Sequence, residues 1–306
     1  MKANCPNQSC KIYSQNQFQV KDGFYYRRDD CRFIQRFKCK ICLRKYSATT
    51  FSLEKYQKKR RINYELRSLL SSGMSMRACA YHLKVSQKTI ERKLVYLAVK
   101  ARKRQSEFLD ILKQNPIQQV QFDDLISSIH TKLKPVSVSV VIDSKNYTVL
   151  GAQVAEIPAF GKLAKISREK YGRRQNLHPK VLRNLLTEVK DIIDLNASIK
   201  TDEHKQYPKI INEIFPKARH EVFKSVPASV AGMGELKTNK YDPLFAINHT
   251  LASFRYGIDR LIRRTWCTSK SQTHLQMHID IFIDYYNEKK LWKKFKGKKL
   301  KKIKLS

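Results

Sequence analysis

Apolar positions recur along this chain in two different periods, and the changes of period mark where its architecture should change. Phe18, Val20, Phe24, Tyr25, Tyr26, Phe33 and Phe37 give an aromatic, strand-prone stretch with a turn expected at Asp22-Gly23, the pattern of a short β-ribbon. From residue 63 the spacing becomes helical. Tyr64, Leu66, Leu69 and Leu70 predict a helix over 63–70, stopped by Ser71-Ser72-Gly73. A second helix over 75–83 buries Met76, Cys79, Ala80 and Leu83, and Ser86 is placed to cap a third over 87–98. Ile90, Leu94 and Leu97 face inward on that third helix, leaving Gln87, Lys88, Thr89, Glu91, Arg92 and Lys93 facing out. Short helix, tight turn and polar third helix make a helix-turn-helix layout, in which Gln87, Lys88 and Arg92 suit base edges and phosphates. Residues 101–115 read as a basic helix and connector.

Alternation returns after residue 116. Strands are predicted over 117–125, 135–143 and 146–157, the last two joined by a hairpin turn. An amphipathic helix over 178–193, a short strand over 197–200, a helix over 207–215 and a strand over 218–223 follow. A helix over 243–265, with Phe254, Ile258, Leu261 and Ile262 on its apolar side and Trp266 packing in the core beyond it, precedes a last helix over 273–287. Three antiparallel strands, a helix, a parallel strand, a helix and another strand is the order of an α/β domain of the RNase H-like kind. The chain thus divides into a ribbon at 1–55, a helix-turn-helix and linker at 56–115, an RNase H-like domain at 116–287 and a Lys-rich tail at 288–306.

Charge narrows the partners. The 306 residues carry 62 Lys and Arg against 26 Asp and Glu, a net charge of +36. An excess that large favours a polyanion, and nucleic-acid phosphate is the commonest one. An aromatic complement of 15 Tyr, 14 Phe and 2 Trp with 42% hydrophobic residues belongs to a folded protein rather than a disordered tail. No run of about 18 apolar residues predicts a membrane span, and the first ten residues lack the apolar stretch of a secretory leader. A cytoplasmic, nucleoid-associated protein is expected.

Two groups of residues carry chemistry. Cys5 and Cys10, with four residues between them, and Cys39 and Cys42, with two, are spaced as paired knuckles for Zn²⁺. A ribbon of this size has too little core to fold without the metal. The second group is acidic: Asp123 and Asp124 close the first predicted strand of the large domain, and Asp202 closes the fourth. Neighbouring carboxylates of like charge call for a cation, and hard oxygen ligands select Mg²⁺ or Mn²⁺. Alternation alone leaves open whether Asp123 or Asp124 faces Asp202. Arg255, Arg260, Arg263 and Arg264 on the 243–265 helix suit a DNA channel or phosphate clamp.

Phe-Asp-Asp-Leu at 122–125, TDEHKQYP at 201–208 and above all FAINHTLASFRYGIDRLIRRTWCTSKS at 245–271 resemble bacterial insertion-sequence transposases of the DDE superfamily. The nearest likeness is the insertion sequence one family. The resemblance implies DNA cleavage and strand transfer at element ends, with Mg²⁺ or Mn²⁺ held by Asp123, Asp202 and a third ligand. It further implies a homo-oligomer pairing two double-stranded DNA ends. The position that matches the family's Glu holds Asn248, a departure from the pattern. Glu235, flanked by glycine and 33 positions after Asp202, is the other candidate. A DNA-binding regulator, or an inactive copy with a degenerate catalytic domain, is the alternative reading.

Overall fold

The computed structural model describes residues 4–13, 19–224, 242–262 and 265–295, with side chains up to residue 290. Glu235, Arg263, Arg264 and the end of the basic tail lie outside the described residues. The chain forms two compact units, Met1–Leu66 and Arg67–Ser306.

In the first unit β1 (Gln19–Arg27), β2 (Arg32–Cys39) and β3 (Lys45–Ser47) form an antiparallel sheet in that order. The turn expected at Asp22-Gly23 is instead a bulge in β1, where the register shifts between Lys21 and Phe24. Gly23, at φ +68°, supplies the left-handed backbone that the bulge needs. The chain reverses at residues 28–31, where Asp30 takes the Arg27 guanidinium and Asp29 accepts from the backbone N–H of Arg60 at 3.0 Å.

Helix α1 (Asn63–Leu70) runs across the boundary between the units. In the second unit α2 (Met76–His82) and α3 (Gln87–Leu112) each begin on a serine, Ser75 and Ser86, whose hydroxyl accepts an N–H of the first turn. The third helix does not stop near residue 98: no glycine or proline interrupts it, and α3 continues for 26 residues. Gln87, Lys88, Glu91 and Arg92 are exposed on its first turns as expected. Lys93 is not. It is buried, with its amine 5.6 Å from the Tyr96 ring.

The large sheet is mixed. Its strands are β4 (Ile117–Ser128), β5 (Pro135–Asp143), β6 (Thr148–Glu156), β7 (Ile193–Thr201) and β8 (Arg219–Val222), in the spatial order β6-β5-β4-β7-β8. The first three pair antiparallel, whereas β4 pairs with β7, and β7 with β8, in parallel. Helix α4 (Leu163–Tyr171), which the hydrophobic pattern did not announce, precedes α5 (His178–Val189). Helix α6 (Tyr207–Ile214) leads into β8.

One face of the sheet buries Val120, Phe122 and Val141 against Leu182, Leu185 and Leu186 of α5 and Ile210 and Ile211 of α6. The other buries Leu125, Val138 and Val140 against α7 (Phe245–Gly257) and α8 (Gln272–Phe295) through Ile247, Phe254, Ile279 and Phe282. Strand β6 is a sheet edge, and side-chain amides satisfy its outer backbone. Asn287 accepts from Val149 N, Gln276 from Val154 N, and Gln105 donates to the carbonyls of Val149 and Leu150.

The expected helix over 243–265 ends early, at Gly257, and residues 259–261 form a 3-10 turn. A Cβ at Gly257 would lie 2.1 Å from the Phe282 ring, and Gly257 O accepts from Gly73 N at 2.9 Å. Ile258 then turns extended, at φ −119° and ψ 109°. Trp266 accordingly does not reach the core; it is fully exposed. Gly257→Ala is expected to destabilise the second unit by about 2 kcal/mol, because the methyl group forces a packed ring to shift. A urea-unfolding midpoint followed by circular dichroism checks this.

Candidate metal centres

The first centre lies in the ribbon unit. Cys5, Cys10, Cys39 and Cys42 bring their sulfurs within 4.8 Å of one another, three of them buried and Cys42 half-buried. Local backbone hydrogen bonds shape both knuckles: Cys10 N donates to Asn7 O, and Cys39 N to Arg44 O, each at 3.0 Å. Leu43, at φ 58°, makes the left-handed step that turns the second knuckle. Four thiolates ~2.3 Å from a zinc ion define a tetrahedron with edges of ~3.8 Å; the Cys5–Cys42 and Cys10–Cys39 sulfurs stand 3.5 and 3.9 Å apart. The donor set therefore fits zinc, and the unit is compatible with a zinc ribbon. The backbone N–H of Arg44 pulls the Cys42 thiol down to about 6, while burial pushes Cys5 up to about 12. Without a cation the four sulfurs cannot all ionise. Cys31 is exposed and stands apart from the four.

The second centre lies on the large sheet. In the parallel register Gln119 pairs with Ser198, and Gln121 with Lys200. Carried two residues further, that register sets Asp123 opposite Asp202, at the point where β7 ends. The ambiguity between Asp123 and Asp124 is resolved by the faces of β4. Phe122 is in the α5–α6 core and Leu125 in the α7–α8 core, so alternation sends Asp124 to the first and Asp123 to the second.

Asp124 is fully engaged. Its Oδ1 accepts from Ser139 Oγ at 2.5 Å and its Oδ2 from Tyr207 OH at 2.6 Å. His178 Nε2 lies 2.5 Å from the same Oδ2, in an ion-pair contact rather than an aligned hydrogen bond. Burial works against the Asp124 charge, but His178, Ser139 and Tyr207 outweigh it and hold the carboxyl below its ordinary range. Burial likewise opposes charge on His178, and Asp124 raises it above its usual value. Tyr207 is pushed far up by burial and by the Asp124 charge.

Asp123 is different. Its Oδ1 accepts the backbone N–H of Asp124 at 2.7 Å, and among the described residues no cationic side chain pairs with it or with Asp202. Burial, reinforced by the charges of Asp202 and Asp124, raises Asp123 to about 7. Two carboxylates in one place, one of them forced toward neutrality, form a donor set that fits a hard divalent cation.

Gln121 brings a third element to this face. Its side-chain amide accepts from Ile247 N at 3.0 Å and donates to Pro243 O at 2.9 Å, clamping the start of α7 beside β4. Asn248, the next residue along α7, is exposed and donates its Nδ2 to Asp242 Oδ2 at 2.9 Å. That leaves the Asn248 carbonyl oxygen as the atom it can offer. Among the described residues no third carboxylate, histidine or cysteine joins Asp123 and Asp202 within 4.8 Å. Farther along α7 a groove of about 590 Å³ is lined by Ile126–Ser128, His130, Lys132, Arg255 and Arg260. Arg260 is partly committed, donating to Asp259 at 2.8 Å and to Met76 Sδ at 3.2 Å.

Sequence reasoning missed His178 and reduced Tyr207 to the start of a helix. Each opens its helix beside a proline, an ordinary N-terminal arrangement, so neither carried a local signal of its partner on β4. His204 is exposed, and its backbone N–H donates to Asp202 Oδ1 at 3.2 Å.

No protein-family model matches the chain, and no curated protein matches it. Among the described residues no helix is long and apolar enough to cross a membrane.

Two outcomes are expected. Chelation of zinc should unfold Met1–Leu66 and leave the large sheet intact; limited proteolysis with mass spectrometry would show cleavage confined to the first unit. The second concerns Asp123, whose folded value of about 7 exceeds an unfolded one of about 3.9. Its stabilising contribution is therefore present below about pH 4 and is lost as pH rises through 7. Asp123→Asn should match the metal-free wild type at pH 4 and exceed it above pH 7 by up to about 4 kcal/mol, measured by urea unfolding across that range.

Proposed function

We propose that this protein is a DNA transposase, cleaving the ends of an insertion sequence and joining them to new DNA. The observation that carries the reading is the meeting of Asp123, midway along β4 rather than closing it, with Asp202 just past the end of its parallel neighbour β7, in a chain of net charge +36. The order of three antiparallel strands followed by two parallel ones supports an RNase H-like domain. The two serine-capped helices α2 and α3 support a helix-turn-helix, with Gln87, Lys88 and Arg92 exposed toward a major groove. With the ribbon they would read the element's terminal repeats.

Asp123 and Asp202 would hold Mg²⁺ or Mn²⁺, with Asn248 as third ligand on α7 and Glu235 outside the described residues. Held there, such a cation would supply Lewis-acid activation of an attacking water or 3′-hydroxyl and charge stabilisation of the departing oxygen. The chain's own part is positional. The hydrogen bond from Asp124 N fixes the Asp123 carboxylate, Gln121 holds α7 against β4, and Arg255, Arg260 and Lys132 offer positive charge to the DNA backbone along the adjoining groove. Joining two ends calls for a homo-oligomer on DNA, and the substrate places the protein at the nucleoid.

The lack of a third carboxylate among the described residues favours a second reading, a DNA-binding regulator with a degenerate centre. One assay separates the two: Mg²⁺-dependent cleavage and joining of DNA carrying the element's own ends. Wild type should give joined product, and Asp202→Ala should lower its rate by at least about 10³-fold while DNA binding persists. Tight binding by wild type with no cleavage would establish the regulator.

A further inference from the structure

The network around Asp124 places two hydrogen-bond donors and an ion-pair partner on a carboxylate that the reaction does not touch. Its Oδ2 meets Tyr207, five residues after Asp202, and His178, the first residue of α5. Its own backbone N–H holds Asp123. From Tyr207 the path continues: the His204 ring lies 4.6 Å from the Tyr207 ring and 5.3 Å from that of His178, and His204 N donates to Asp202 Oδ1. The contacts therefore form a continuous chain from Asp123 through Asp124, Tyr207 and His204 to Asp202. Tyr207 and His178 are almost wholly buried, so the Asp124 end of this chain of contacts is a buried arrangement, while His204 at its other end is exposed.

A buried ion pair is a weak source of net stability, since apolar side chains of similar volume do as well. What it supplies instead is direction. Asp123 and Asp202 repel each other two residues beyond the Gln121–Lys200 pair of the β4–β7 ladder, and a link between β4 and the segment after β7 opposes that repulsion where the ladder has ended. We propose that Asp124, His178 and Tyr207 form a clamp that fixes the separation of Asp123 and Asp202, making His178 and Tyr207 positioning residues for the divalent-cation site. The proposal rests on the reading of Asp123 and Asp202 as metal ligands. Ser139 bonds the same carboxylate but belongs to β5, so it steadies Asp124 without tying it to α5 or α6.

The test uses Mn²⁺ itself as the probe, binding to the full-length, zinc-loaded chain and followed by the electron paramagnetic resonance of the free ion. Wild type should bind and Asp202→Ala should not. Tyr207→Phe should weaken binding by about tenfold or more, as loss of an outer partner of metal ligands does, while Ser139→Ala stays within about threefold. Phe254→Leu, in the opposite core, should lower the melting temperature without moving Mn²⁺ affinity. If Tyr207→Phe does not fold, His178→Gln carries the same expectation. Wild-type affinity in a folded Tyr207→Phe, or an equal loss in Ser139→Ala, would overturn the clamp while leaving the metal site standing. Wild type that binds no Mn²⁺, or binding that Asp202→Ala leaves intact, would overturn the metal reading and the clamp with it.

Discussion

Strand β4 has an antiparallel neighbour on one side and a parallel one on the other, and the second unit is organised around that asymmetry. The parallel partner requires a crossover long enough to carry a helix, which places α5 on one face. It sets β4 and β7 running in the same direction, so that Asp123 comes opposite the end of β7. An antiparallel β7 would send Asp202 to the far end of the sheet. The pleat of β4 sends consecutive residues to opposite faces, and different helices cover the two. Asp123 and Asp124, chemically identical and adjacent, thereby acquire opposite characters: one held ionised by a histidine, a tyrosine and a serine, the other pushed toward neutrality by burial and like charge.

A chain with so few acids distributes them economically. Asp280, Asp284 and Glu288 recur at one-turn spacing on α8 and take Arg102 and Arg104 of α3 at 2.6 to 3.1 Å, while Asp284 also pairs with Arg67 at 2.7 Å. Asp284 is buried, and burial raises it despite the two arginines. Such a cluster adds modest net stability but strongly penalises any displacement that would leave one charge unpaired. It holds the second half of α3 on α8, so the helix whose first turns carry Gln87, Lys88 and Arg92 is continuous with the packing of the large sheet. The amide ladder of Gln105, Gln276 and Asn287 along β6 comes from the same two helices and closes an edge that would otherwise be open to pairing with another chain.

The chemistry of the candidate centres was legible to different depths. Cys5, Cys10, Cys39 and Cys42 were readable outright, because knuckle ligands lie close in sequence and their spacing reflects local backbone geometry. Asp202 was readable only as a residue at a strand end, and Asp123 was misplaced at one, because β4 runs on to Ser128 through its pairing with β5; their meeting depends on which strands pair and in what register. His178 was unreadable, because its partner lies 54 positions away on another element. Helix α4 and the early end of α7 were missed for a related reason. The first has a weak apolar pattern on a mostly exposed segment. The second stops where a glycine meets the Phe282 ring, a contact that exists only once α8 has packed.

The sequence by itself determined the four-cysteine donor set that could hold zinc, the helix starts at Ser75 and Ser86, the strands from 117 to 156 and the exposure of the first turns of α3. All of these follow from periodicity, capping and ligand spacing over a few residues. Only the tertiary structure decided which aspartate faces Asp202, what the other one does, that α3 runs on to Leu112, and that Trp266 stands in solvent. Those outcomes depend on register and on contacts between distant segments, whose energies no local stretch of sequence contains.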